Sequence, residues 1–345
     1  MAIRMRKRAL RNVGRRHKWP VFPASTGLQL RVCVTLPWQR AMPTTETADL
    51  DSNPGAATCA VCGNTLDRAV KLRLREYRFH ACKYCKSWTC LPRPTASQQA
   101  AIHDSEDYFG HPYFKLRRDI NRAQRERCRA IFSRLSRIVE IESLRGQRLL
   151  DIGCDTGIFL KIAQEEFGIV PVGVDVAARA VAEAKRRGIE AYWGRIEDAP
   201  AQLSEFHAIT AIDLIEHVAD PTAFLLEVHR RLRPGGVAYL ETPNINSAVY
   251  RVGLSIGKLT GGRTGHLMER LFPPQHIQYF TPQSFGDRAR HAGFEAVSLF
   301  SRPLPIAHIS ASLGALAPIE FLQGIDRILG TGILICSVLR RPLQG

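Results

Sequence analysis

A chain of 345 residues with 45% hydrophobic and 8% aromatic content can bury one large core and a small second one, which excludes disorder throughout. No run reaches the roughly 18 uncharged apolar residues of a membrane-spanning helix, and the most apolar region, Leu304 to Leu322, is interrupted by prolines and a histidine. The net charge of +16 suggests nucleic acid at first, but residues 1–41 hold ten Arg or Lys and no acid, so the remainder carries only +6.

In chain order, residues 1–54 read as a basic, disordered tail, with an organelle-targeting segment and a nucleic-acid arm as the alternatives; Met42 is an alternative start. Residues 55–92 follow as a small module. Cys59-Ala-Val-Cys62 is separated by nineteen residues from Cys82-Lys-Tyr-Cys85, and two such knuckles can direct four sulfurs at one zinc ion. The metal-ligand candidates are therefore Cys59, Cys62, Cys82 and Cys85. Gly63 supplies a permissive backbone after the first knuckle, and Val70-Lys-Leu-Arg-Leu-Arg alternates as a hairpin strand would. Four thiolates leave no open coordination position, so this zinc would be structural. A disulfide pair or a redox site is the alternative, disfavoured in the reducing cytoplasm expected for this chain. Cys90 is a spare, and Cys33, Cys128, Cys154 and Cys336 show no ligand spacing.

Residues 93–145 should hold a linker and then a basic amphipathic helix. Leu116, Ile120, Ala123, Ile131, Leu135 and Ile138 share a face, with Arg117, Arg118, Arg122, Arg125, Arg129 and Arg137 on the rest. That basic face is either solvated or in contact with an anionic substrate. From residue 146 to 345 the pattern alternates strand and helix, as in an open parallel sheet covered on both faces. Leu149 to Gly157 reads as a buried strand, a tight glycine turn and a helix start, and Asp175 ends the next apolar run eighteen positions after Gly157. A helix N-terminus offers free N–H donors there, and an acid at the tip of strand two can accept ribose hydroxyls. Arg233-Pro-Gly-Gly carries the breakers that close a helix before strand five. Residues 244–275 read as a Gly-rich insertion, followed by a helix from Pro282, a strand from Phe294, an apolar helical stretch and a last strand at Ile333 to Leu339.

Several segments between residues 148 and 300 resemble, in order, the motifs of class I S-adenosylmethionine-dependent methyltransferases of the ubiquinone-type group. Leu150-Asp-Ile-Gly-Cys-Asp-Thr-Gly157 resembles the turn that cradles the methionine part of the cofactor, Asp175 with Val176 the ribose site, and Gly194-Arg-Ile-Glu-Asp198 the adenine site. Asp213-Leu-Ile-Glu-His-Val-Ala-Asp-Pro221, Leu232-Arg-Pro-Gly-Gly236 and His276-Ile-Gln-Tyr-Phe-Thr-Pro resemble the later blocks. The resemblance implies a Rossmann-like, doubly wound, mostly parallel seven-stranded α/β sheet with a small N-terminal zinc-ribbon module. It assigns cofactor binding to Asp151, Gly153, Asp155, Gly157, Asp175, Val176, Glu197, Asp198 and Asp213. Two positions depart from the pattern: Asp155 stands where a small residue is usual, and His207 stands where an acid is usual after Phe206. An NAD-dependent dehydrogenase fits less well, since its third glycine is missing at the normal spacing.

Methyl transfer from a sulfonium needs alignment above all, and a hydroxyl acceptor also needs a base. His276 and His217 are the candidates, with Tyr279 and His266 behind them. The expected activity is methylation of a small molecule, a sugar, quinone precursor or secondary metabolite. The alternatives are an RNA methyltransferase that grips phosphates with the module and the basic helix, and a non-catalytic binding module on the same fold.

Overall fold

A computed structural model describes residues 57–74, 77–105, 120–260, 268–269, 271–273, 275–303 and 313–343. The basic segment at the N-terminus, Leu116 and His266 lie outside the described residues. Among the described residues, no helix is long and apolar enough to cross a membrane.

The cysteine-rich region folds as a meander of β1 (Leu66–Leu74), β2 (Tyr77–Cys82) and β3 (Trp88–Leu91), followed by α1 (Ala96–His103) and α2 (Arg122–Leu135). Thr95 starts α1 and Asn121 starts α2 with reciprocal side-chain caps. That cap sets the start of the basic helix at Arg122, so Ile120 lies outside it. Cys128, Ile131, Phe132 and Leu135 form its buried stripe, at the i, i+3, i+4, i+7 spacing of an amphipathic helix. Phe132 stacks on Phe167 at 3.9 Å.

The main sheet contains β4 (Arg148–Ile152), β5 (Val170–Asp175), β6 (Glu190–Trp193), β7 (Phe206–Ile212), β8 (Leu232–Pro243), β10 (Glu295–Arg302) and β11 (Leu334–Arg340). Their order is β10-β11-β8-β7-β4-β5-β6. The four pairings among β4 to β8 are parallel, and β11 runs antiparallel to both of its neighbours. Helices α3 (Ile158–Phe167), α4 (Ala178–Arg186), α5 (Pro221–Arg231), α6 (Ala248–Leu259), α7 (Pro282–His291) and α8 (Leu313–Leu329) complete the doubly wound fold. Side chains alternate across the sheet: Leu149 and Tyr239 feed one core, Leu150 and Leu240 the other. The order reverses at β4, so the carboxyl ends of β4, β5 and β7 border a crevice, the usual ligand position in such sheets.

Three details depart from the sequence reading. The Arg233-Pro-Gly-Gly breakers lie inside the irregular start of β8, which is hydrogen-bonded from Leu232 onward with a register shift against β7. The 244–275 insertion contains the amphipathic helix α6, capped by Ser247; Gly253 in it lies where a Cβ would sit 2.3 Å from Leu271. The cysteine module is not a detached unit either. Strand β9 (Gln278–Tyr279), from after the insertion, pairs with β3 and completes a four-stranded sheet β1-β2-β3-β9.

Candidate active site

The turn after β4 is built from left-handed backbone. Gly153 and Gly157 have φ of 74° and 75°, and an added Cβ on Gly157 would lie 3.0 Å from that of Ala184. Asp155, at φ 48°, shares this conformation, one that Asp tolerates better than most residues. This accounts for the unusual residue: position 155 asks for a left-handed backbone, which a small residue or Asp can adopt. Its N–H donates to Asp175 Oδ2 at 2.8 Å, while the N–H of Ala177 donates to Asp175 Oδ1 at 2.8 Å, so the acid at the tip of β5 ties the turn to the start of α4. An Asp155→Gly variant should keep that backbone bond and gain about 1 kcal/mol of stability from relief of the left-handed strain. Thermal denaturation beside cofactor titration checks this, and a large loss of cofactor affinity would mean that the carboxylate takes part in binding.

Asp151, Asp155 and Asp175 make the floor of the crevice acidic. Burial pushes Asp151 up to about 8; Thr210, donating to Asp151 Oδ1 at 2.6 Å, opposes this, and the charges of Asp175 and Asp155 add to it. Burial likewise raises Asp175 to about 6 against its two backbone bonds. The indole of Trp193 is 71% exposed at the tip of β6, register partner of Asp175, and its N–H donates to the Val176 carbonyl at 2.9 Å. Sequence reasoning missed this ring, although an aromatic at the end of the strand after Asp175 was a signal that could have found it. Glu197 and Asp198 lie on an exposed turn, where Arg195 holds Asp198 at 2.8 Å; no contact joins them to the acidic floor among the described residues.

Asp213 follows β7 with φ 54°, and its carboxylate meets Arg127 of α2 at 2.9 Å. The same Arg127 Nη2 reaches Glu241 at 2.7 Å, and its Nε is buried without a partner. Glu241 is fully buried and also binds Arg302 at 2.5 Å and the Tyr239 hydroxyl at 2.8 Å. Three other α2 arginines are paired on the surface: Arg125 with Glu165 and Glu166, Arg129 with Glu166 and Arg122 with Glu126, while Arg134 donates to the Ala130 carbonyl and lies over the Phe300 ring.

Just past Asp213, His217 follows Glu216 in a 3-10 turn, and His276 precedes β9. The two imidazoles meet edge to face at 4.8 Å, and His103 of α1 meets His217 at 4.9 Å. His103 went unmarked in the sequence because it is far from both partners along the chain. The Gln275 carbonyl lies 2.8 Å from His217 Nδ1, and Thr242 donates to Glu216 Oε2 at 2.9 Å. Glu216 Oε1, His276 Nδ1 and the Tyr279 hydroxyl are buried without partners. Burial holds His276 down at about 4, with Asp213 opposing and His103 reinforcing, so its imidazole is neutral near pH 7. Burial also pushes the Glu216 carboxyl well up and the His217 imidazole well down. The donors of Glu216, His217 and His276 lie within 4.8 Å of one another and could alternatively share a divalent cation.

The second donor cluster is the four-cysteine set, whose sulfurs all lie within 4.8 Å of one another. Cys59 and Cys85 are 3.6 Å apart and Cys62 and Cys82 3.5 Å, near the ~3.8 Å edge of a tetrahedron with 2.3 Å zinc–sulfur bonds. These residues fit a zinc ion. The described cysteines are free thiols, and Cys90, Cys128, Cys154 and Cys336 are buried outside the cluster.

A glycine turn, an acid at the tip of strand two and this strand order define a nucleoside-binding α/β domain. The family model described as "Methyltransferase domain" matches residues 120–299, and the chain belongs to that family. A ubiquinone biosynthesis O-methyltransferase of Xanthomonas oryzae pv. oryzae is 31% identical over 143 residues, covering 38% of this chain and 59% of that protein. One from Pseudomonas aeruginosa is 29% identical, covering 47% of this chain and 70% of that protein. The alignment with the Xanthomonas protein thus spans well under two thirds of its length. A solved SAM-dependent methyltransferase from Archaeoglobus fulgidus aligns with a TM-score of 0.42 at 19% identity, covering 62% of this chain and 94% of that one.

Proposed function

We propose that the protein is an S-adenosylmethionine-dependent methyltransferase that methylates a small-molecule acceptor, with a hydroxyl as the preferred acceptor group. The observation that carries this is the cluster of Asp151, Asp155 and Asp175 around the left-handed turn, where burial holds Asp151 and Asp175 above the usual carboxylate range and an entering cation would favour their ionised forms. The residues fit the cofactor: Asp151 would face its ammonium and sulfonium, and Asp175, each of whose oxygens keeps a lone pair, would accept from the ribose. The exposed Trp193 face would cover the adenine. The spare Nε of Arg127 suits the cofactor's carboxylate.

When bound, S-adenosylmethionine supplies a methyl group on an excellent leaving group. The protein's task is then to align the acceptor, exclude water and take a proton. A neutral His276, 4.0 Å from the Glu216 carboxyl, would accept that proton. The names of the ubiquinone O-methyltransferases, as relatives, support oxygen as the acceptor atom. RNA is the less favoured acceptor, because Arg122, Arg125 and Arg129 of α2, which would grip phosphates, are paired with Glu126, Glu165 and Glu166. RNA affinity that falls steeply with salt would reverse that order.

With candidate hydroxyl acceptors, formation of S-adenosylhomocysteine tests the activity, and a well-folded protein that fails to bind S-adenosylmethionine sinks it. In the active enzyme His276→Ala should lower turnover by about 10²–10⁴-fold while leaving cofactor affinity nearly intact. Unchanged turnover would exclude the base role. Turnover that depends on added magnesium would instead make Glu216, His217 and His276 a metal seat.

A further inference from the structure

We propose that the four-cysteine module positions the acceptor side of the active site: its metal fixes β3, β3 fixes β9, and β9 fixes the Glu216–His217 turn and His276. This rests on the acceptor-side reading of His217 and His276 given above. The path is short and made of named bonds. At the metal end, the Cys82 N–H donates to the Ser87 carbonyl at 2.8 Å. Thr89 Oγ1 accepts from the Ala60 N–H at 3.2 Å and donates to Cys59 Sγ at 3.9 Å. The same Thr89 is the register partner of Gln278, and Trp88 that of Tyr279.

Three further bonds lock the seam. The Cys90 N–H donates to the Ile277 carbonyl at 2.9 Å, Thr281 Oγ1 to the Cys85 carbonyl at 3.5 Å, and Ser87 Oγ to Ser284 Oγ at 2.7 Å between two fully buried side chains. Trp88 stacks on Phe272 at 6.3 Å, and Phe79 packs edge-on against Tyr279 at 5.7 Å. At the active-site end, Gln278 Nε2 donates to the carbonyls of Ile215, at 2.8 Å, and Val218, at 2.6 Å, which bracket Glu216 and His217. The Ile277 N–H donates to the Glu216 carbonyl at 3.0 Å. A continuous series of backbone and side-chain bonds thus runs from the knuckles through β3 and β9 to the Glu216–His217 turn.

The test is hydrogen–deuterium exchange on the full-length, zinc-loaded protein before and after removal of the metal by a chelator. Metal removal should speed exchange in peptides spanning 275–281 and 213–219 by about tenfold or more, while the glycine turn at 150–157 keeps its protection. Loss of protection confined to residues 59–91 would overturn the proposal, as would a full-length protein that holds no zinc. If the metal-free chain unfolds throughout, Gln278→Leu with zinc and all four cysteines in place decides. Faster exchange at 213–219 supports the proposal, and unchanged exchange there refutes it. None of these readouts requires an acceptor, so failure of methyl transfer and failure of positioning remain distinguishable.

Discussion

Cofactor affinity should rise with pH up to about 8 and then level off, and Asp151→Asn should remove that slope. In the empty site burial keeps Asp151 protonated up to about 8, with Asp175 and Asp155 adding their repulsion. A cation entering beside it favours the ionised form, so binding near neutrality releases a proton, and affinity changes by up to tenfold per pH unit below the empty-site value. Asn preserves the shape and still accepts from Thr210 through its carbonyl, but it carries no charge. The variant should therefore fold normally and bind about ten- to a hundredfold more weakly at pH 8, the range expected for loss of a hydrogen bond to a charged group. Calorimetry in two buffers of different ionisation enthalpy counts the released proton directly, and an Asn variant that keeps the pH slope would place the titration elsewhere. Linkage also fixes the sign for the empty protein. Asp151 is raised from 3.8 to about 8, so its contribution to stability is complete below pH 3.8 and is lost as pH rises through 8. Cofactor should consequently raise the melting temperature more at pH 8 than at pH 6.

Glu241→Ala should be the most damaging single change outside the turn. Burial pushes this carboxyl up, yet Arg127 and Arg302 outweigh burial and bring it to about 2. Removing it leaves two guanidinium groups facing each other in a low-dielectric interior, a change that costs about 3–5 kcal/mol. Denaturant unfolding should show a shifted midpoint with an unchanged slope. A loss below about 1 kcal/mol, the range of a surface ion pair, would mean that water already reaches the pair. Because the carboxyl is lowered from 4.5 to about 2, the stability it provides is present above pH 4.5 and fades as pH falls through 2.

The sheet and the cofactor turn were legible in the sequence because their signals are local. Leu149 to Gly157 and Val170 to Asp175 each carry strand, turn and tip within a dozen residues, and the strand–helix alternation sets the direction of the chain. The two cysteine knuckles were legible for the same reason. The half-buried Arg127 was not, because its side chain answers to Asp213 and Glu241, about 90 and 110 residues away, while other arginines of α2 pair on the surface. The row of three imidazoles was half legible: His217 and His276 sit in recognisable blocks, but His103 enters only because α1 folds back over them. Strand β9 is two residues long and has no pattern of its own; its existence depends on the edge that β3 offers.

That pairing also sets an order of events during synthesis. All four clustered cysteines emerge from the ribosome nearly 200 residues before Gln278 and Tyr279, so the two knuckles can come together while β3 still lacks its partner. Until then Trp88–Leu91 is an open sheet edge next to apolar rings, the kind of surface that seeks another chain. Closing it requires one of the longest-range contacts in the protein, and such contacts form late. A nascent chain stalled before residue 278 would therefore carry a finished four-cysteine cluster and an unprotected strand, and its solubility in the cell would depend on how quickly the remaining length arrives.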